Sequence, residues 1–358
     1  MKMVKFDKNY SAEFLTDLRR EVETYFKKNN LSRFGNASMA FKTVCMLSLF
    51  FVPYGFIVSG IVTNAWVFWG LWLIMGTGLA GIGMSIMHDG NHGSYSNSKF
   101  INRVMGMTLN MVGGSAKNWK IQHNRLHHTF TNVHDMDPDI SPLPILRFSP
   151  KAPHFKFHRF QHLYAWLLYG LLSFSWATVK EFTQLSKFKK DGFIKPEEYG
   201  WLMAEMLLWK VVYYAYLLVV PMLFLEISFG FWFVCFFSMH FVAGLILATV
   251  FQTAHVMPDC EYPEANEEGT IENNWAIHQL QTTTNYHSNR LFSWYVGGLN
   301  FQVEHHLFPT ICHVHYRALS KIVKKNAKEH NLPYYTQNSY LSAVWAHGKM
   351  LHKLGQVA

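Results

Sequence analysis

The 358-residue chain is long enough for one large domain or two small ones and can bury a substantial core. Half of its residues are apolar and only 15% are charged, well below the roughly 25% of a soluble globular domain, which points to a bilayer. A net charge of +9 raises nucleic acid as a partner, but placement argues against it: no Lys or Arg occurs between Lys42 and Lys99 or between Lys210 and Arg290, the stretches that hold the longest apolar runs.

In chain order, residues 1–40 are charged and lack the unbroken apolar core of a secretory signal peptide. Phe14, Leu15, Leu18, Val22 and Phe26 recur at helical spacing, which predicts a cytoplasmic amphipathic segment packed on its own domain in preference to a membrane surface. A spanning helix needs about 20 mostly apolar residues, because the hydrocarbon core is about 30 Å thick and each residue rises about 1.5 Å. Four segments qualify, roughly 43–64, 65–87, 208–228 and 231–254. Very short turns join the first two and the last two, so they read as two membrane hairpins. The run 163–179 is shorter and rich in Trp, Tyr and Ser, which favours an interfacial helix. The turns near Thr63 and Ser228 carry no Lys or Arg while the other connections do, which predicts that both termini are cytoplasmic. The expected fold is an all-α integral membrane protein: four transmembrane helices in two hairpins, interfacial helices, and a cytoplasmic helical cap that holds a metal site. Its main domain covers 41–320, followed by a cytoplasmic tail over 321–358. Cys45, Cys235, Cys260 and Cys312 have no C-x-x-C spacing, and the first two lie in apolar runs, so no disulfide is expected.

Three histidine clusters accompany the spans. His88-Asp-Gly-Asn-His92 begins where the second span ends, and a helix that continues across Gly90 sets its two imidazoles on one face at i and i+4. His123-Asn-Arg-Leu-His127-His128 repeats that spacing and adds an adjacent imidazole that points elsewhere around the helix. Gln302-Val-Glu-His305-His306 supplies a third pair, with Gln302 where a further histidine would complete the pattern. An isolated H-x-x-x-H is as readily a surface or capping pair, whereas three clusters beside membrane segments point to one shared metal site. Such a site must lie on one side of the membrane, which requires an even number of crossings between residues 128 and 305 and agrees with reading 163–179 as interfacial. Imidazole suits Fe, Zn and Cu, while Mg and Ca call for oxygen ligands. The seven imidazoles of these clusters exceed one metal's usual share, so two metals with open positions follow. Ligating histidines donate their second N–H to a carboxylate or carbonyl. Asp89 and Glu304 stand inside the clusters as candidates, and Asp135, Asp137 and Asp139 serve equally well as turn residues around Pro138.

These motifs resemble the membrane fatty-acid desaturase superfamily, whose pattern is H-x(3–4)-H, H-x(2–3)-H-H and [HQ]-x-x-H-H around a di-iron centre; the resemblance covers most of the chain. Gln302 and the segment WYVGGLNFQVEHHLFP are similar to the front-end desaturases of the delta-5 and delta-6, linoleoyl-CoA-desaturase-like type, which insert a double bond between an existing one and the carboxyl end. The resemblance implies His88, His92, His123, His127, His128, His305 and His306 as ligands, with His255 in FQTAHVMPD as an eighth, and no catalytic residue beyond them. With it, Gln302, His278 and Asn285 join Asp89 and Glu304 as groups behind the ligands or holding a water, although a structural role suits His278 and Asn285 better.

Removing hydrogen from an unactivated methylene is beyond amino-acid side chains, so a metal must carry that step. The resemblance implies two iron ions and O2 as co-substrate, with two hydrogens leaving adjacent carbons of a fatty acyl chain, a cis double bond formed and two waters released. The acyl chain would be carried on lipid or CoA and held in an apolar tunnel that presents one carbon pair to the metals. Many members carry a fused cytochrome b5 domain marked by H-P-G-G; this chain has no such motif, which leaves electron delivery to a separate ferredoxin or cytochrome b5. Lys187, Lys189, Lys190, Lys321, Lys324 and Lys325 suit such a donor or, more simply, anionic lipid. His240, inside the fourth span, is expected to make an interhelical hydrogen bond. Two alternatives remain: a hydroxylase or ketolase of the same superfamily, and a non-enzymatic membrane metal-binding protein, for which histidines along the spans would be expected.

Overall fold

A computed structural model describes residues 4–7, 11–141 and 144–356. The chain is mostly helical, and among the described residues four helices are long and apolar enough to cross a membrane: Ala37–Val58, Ala65–His92, Pro196–Phe224 and Phe229–His255. The first and third begin earlier than hydropathy alone suggests. Asn36 caps the first, its side chain accepting from the amides of Ser38 and Met39. Pro196 opens the third at a position where its missing N–H costs nothing. Asn64 caps the second in the same way as Asn36, accepting from Trp66 and Val67. The run 163–179 falls in short helices, Gln161–Gly170, Leu172–Ser175 and a π-helical turn Trp176–Lys180, and is not one of the four.

The chain divides into two compact units. One, Asn36–Ile121 with Trp166–Thr249, contains most of the spanning helices. In the most apolar stretch of each helix, 61% of the second span and 56% of the fourth are buried, against 33% and 22% for the first and third. The outer pair therefore owes its apolar surface to lipid, as the exposed Val44, Val52, Leu208 and Val211 illustrate. The second span approaches two neighbours closely through glycine: a β-carbon on Gly76 would lie 2.5 Å from the Met239 carbonyl of the fourth span, and one on Gly78 would lie 2.7 Å from the Phe50 amide of the first. His240 is buried and fully bonded, with Tyr213 Oη at 2.7 Å from Nε2 and Ser173 Oγ at 3.0 Å from Nδ1, the interhelical role expected of it.

The other unit comprises Met1–Gly35, Gln122–Ala165 and Val250–Ala358. Its N-terminal helix Ala12–Lys28 buries Phe14, Leu18 and Val22 against Leu319 and Val323 of the helix Tyr316–Glu329, so the amphipathic face is satisfied by protein. Two short parallel strand pairs accompany the helices: Lys5–Phe6 with Thr270–Ile271, and Thr284–Tyr286 with Tyr335–Gln337.

Candidate metal centre

The second histidine cluster lies on a π-helical stretch, Lys120–His127, that continues directly from the helix Ala116–Trp119. This changes its geometry. In an α-helix His128 would point away from His123, as the sequence suggests, but i→i+5 bonding brings residues five apart together. His128 Nε2 accordingly lies 3.2 Å from His123 Nε2. Gly297 and Gly298, both in the left-handed region (φ +63° and +66°), turn the chain ahead of the helix Gln302–Leu307, which carries the third cluster. His305 Nε2 sits 2.9 Å from His128 Nε2 and 3.5 Å from His123 Nε2. Three ring nitrogens this close repel one another unless protons or a cation lie among them.

His255, the last residue of the fourth span, completes a second group. Ring nitrogens of His127, His255 and His306 lie within 4.8 Å of one another, as do those of His128, His305 and His306. The unit thus gathers His123, His127, His128, His255, His305 and His306, all at most 5% exposed.

The outer nitrogens are held by neighbouring groups. His127 Nδ1 is 3.1 Å from both oxygens of Asp137, whose carboxylate also accepts from the amides of Asn132 and Asp139. His306 Nδ1 meets Gln279 Oε1 at 2.8 Å, His305 Nδ1 meets Tyr316 Oη at 3.2 Å, and His255 Nδ1 meets the Thr282 carbonyl at 3.4 Å. The inner Nε2 atoms of His127 and His255 are buried with no hydrogen-bond partner on the protein. Outer nitrogens tied down and inner ones converging are what ligands to a metal require, because the outer bond fixes tautomer and ring orientation. An all-imidazole donor set fits iron and disfavours Mg and Ca. Burial opposes charging His127, but the Asp137 carboxylate, aided by Asp139, raises its pKa; reciprocally, His127 and two backbone amides keep Asp137 below the ordinary carboxylate range despite its burial.

His88 and His92 lie at i and i+4 on the helix Met87–His92, which does persist across Gly90 and ends at the left-handed Gly93 (φ 73°). Their rings meet edge to face at 4.7 Å, flanked by Trp119. Asp89 Oδ1 is 3.6 Å from His88 Nδ1. Glu304 points its carboxylate to Asn285 Nδ2 and Tyr334 Oη, each at 2.9 Å, and burial pushes its pKa up to about 7, although those two hydrogen bonds pull against it. Asn285 also accepts from the Val303 amide, so the pair braces the third cluster's helix. His278 is buried, edge-on to Phe6 at 5.0 Å, and burial lowers its pKa to about 4. Gln302 is fully buried with neither amide atom hydrogen-bonded. Sequence reasoning missed Gln279, Thr282 and Tyr316. Gln279 follows His278 directly, so helical phase was the missing signal.

The fold and this cluster define a membrane protein with a buried, imidazole-rich site able to hold metal. Sequence comparison makes the class specific. The profile of the fatty acid desaturase family matches residues 64–338. The chain is 33% identical over 349 residues to the sn-1 linoleoyl-lipid 6-desaturase of Synechocystis sp., covering 95% of each. It is 35% identical over 356 residues to the acyl-lipid (8-3)-desaturase of Physcomitrium patens, covering 96% of this chain and 72% of that one. It is 29% identical over 354 residues to the delta(5) fatty acid desaturase A of Dictyostelium discoideum, covering 96% and 75%. The chain belongs to the fatty acid desaturase family. It is an oxidoreductase that desaturates fatty acyl chains.

Proposed function

We propose that this enzyme is a front-end desaturase that introduces a cis double bond into a lipid-bound polyunsaturated acyl chain, using O2 and two iron ions. The observation that carries the metal reading is the convergence of six buried imidazoles with four outer nitrogens anchored by Asp137, Gln279, Tyr316 and Thr282. His123, His127, His128, His255, His305 and His306 would hold the irons; His88 and His92 join them on the strength of motif and order. When bound, the irons supply the oxidising power for C–H cleavage that no side chain has. The protein orients the imidazoles, keeps the site dry and presents one carbon pair. Gln302 at the head of the third cluster and the acyl-lipid relatives support the front-end assignment and a lipid carrier. Electrons come from a separate ferredoxin or cytochrome b5, and the site and both termini face the cytoplasm.

The test is expression in a host without polyunsaturated lipids, feeding of linoleate, and location of new double bonds by mass spectrometry, with iron measured on the purified protein. The expected result is a new double bond on the carboxyl side of the existing ones, about two irons per chain, and loss of both in His305→Ala. A hydroxylated product, or unchanged desaturation by His305→Ala, would sink the proposal.

A further inference from the structure

Lys210 lies within the third spanning helix yet is only 4% exposed. An ammonium there is costly and needs a reason. Its Nζ donates toward the carbonyls of Gly113 (3.1 Å), Trp176 (2.9 Å) and Ala177 (3.1 Å) and toward Glu181 Oε2 (2.9 Å). The π-helical turn Trp176–Lys180 supplies two of these carbonyls. The other oxygen of Glu181 accepts the Ser115 amide at 2.7 Å. Ser115 is the N-cap of the helix Ala116–Trp119, the one that runs on as Lys120–His127. The same short helix is tied further by Asn118 Nδ2 to Gln184 Oε1 at 3.2 Å and by the Lys117–Glu205 ion pair.

We propose that Lys210 and Glu181 are positioning residues that fix where the helix bearing His123 and His127 begins. The Gly113 carbonyl and the Ser115 amide are both held by this one ion pair, which pins the turn between them. A one-residue slip there would redirect the imidazoles of the second cluster. The inference rests on reading His123 and His127 as ligands, but its anchoring step is measurable without metal.

The test uses the full chain in lipid nanodiscs and compares wild type with Lys210→Met, Glu181→Gln and the double variant, which leaves no unpaired buried charge. Amide hydrogen exchange at Ser115–Trp119, iron retention against a competing chelator, and the position of the product double bond are read together. The double variant is expected to accumulate and unfold near the wild-type temperature, to exchange Ser115–Trp119 about tenfold faster, and to release iron at about tenfold lower chelator concentration. Wild-type exchange and iron retention in that variant would overturn the proposal. So would its failure to accumulate, since the pair would then be a requirement of folding. Should wild type itself hold no iron, the metal reading fails, while exchange at Ser115–Trp119 still decides the anchoring.

Discussion

Asp137 illustrates what a single side chain contributes. Three aspartates follow the second histidine cluster, and their spacing around Pro138 suits turns as well as ligand support. Asp137 gathers two backbone amides and meets His127 Nδ1 through paired 3.1 Å contacts. Asp137→Asn keeps the size and an acceptor oxygen but removes the charge. Iron affinity is expected to fall about 10- to 100-fold, measured by chelator competition, with the amount of membrane-inserted protein unchanged. The proposed ligands were legible because imidazole spacing is written in the chain. Their supports were not, because Gln279 and Tyr316 reach the site through tertiary packing and carry no local signature.

At the scale of elements, the first cluster shows why a glycine stands between two histidines. A β-carbon on Gly90 would lie 2.5 Å from the Gly106 amide and 2.9 Å from the Met105 carbonyl carbon, so the helix Met87–His92 and the helix Lys99–Gly106 touch backbone to backbone there. Gly90→Ala is expected to destabilise the fold by about 1–3 kcal/mol, seen as a lower unfolding temperature and reduced yield, despite alanine's better helix propensity. The second cluster departs from the α-helical period on which sequence reading relies. Hydropathy fixes neither a π-helical stretch nor its register, so the convergence of His123 with His128 could not be read from spacing.

For the whole molecule, the proposed topology of two membrane hairpins with cytoplasmic termini makes a direct prediction about the two short turns. In a background freed of reactive native thiols, Thr63→Cys and Ser228→Cys are expected to react with an impermeant maleimide from outside. Lys349→Cys should react only after permeabilisation. Labelling of Lys349→Cys in intact cells would reverse the orientation.

Sequence alone determined the membrane class, the four apolar spans and the seven imidazoles proposed as ligands. Apolar runs of bilayer length and fixed histidine spacings are local properties of the chain, and family likeness added His255. Tertiary structure decided which nitrogens converge, which carboxylate orients His127, and why a lysine can sit inside the third span. Those depend on groups far apart in sequence: Lys210 meets Gly113 and Glu181, and His306 meets Gln279, only once the chain has folded.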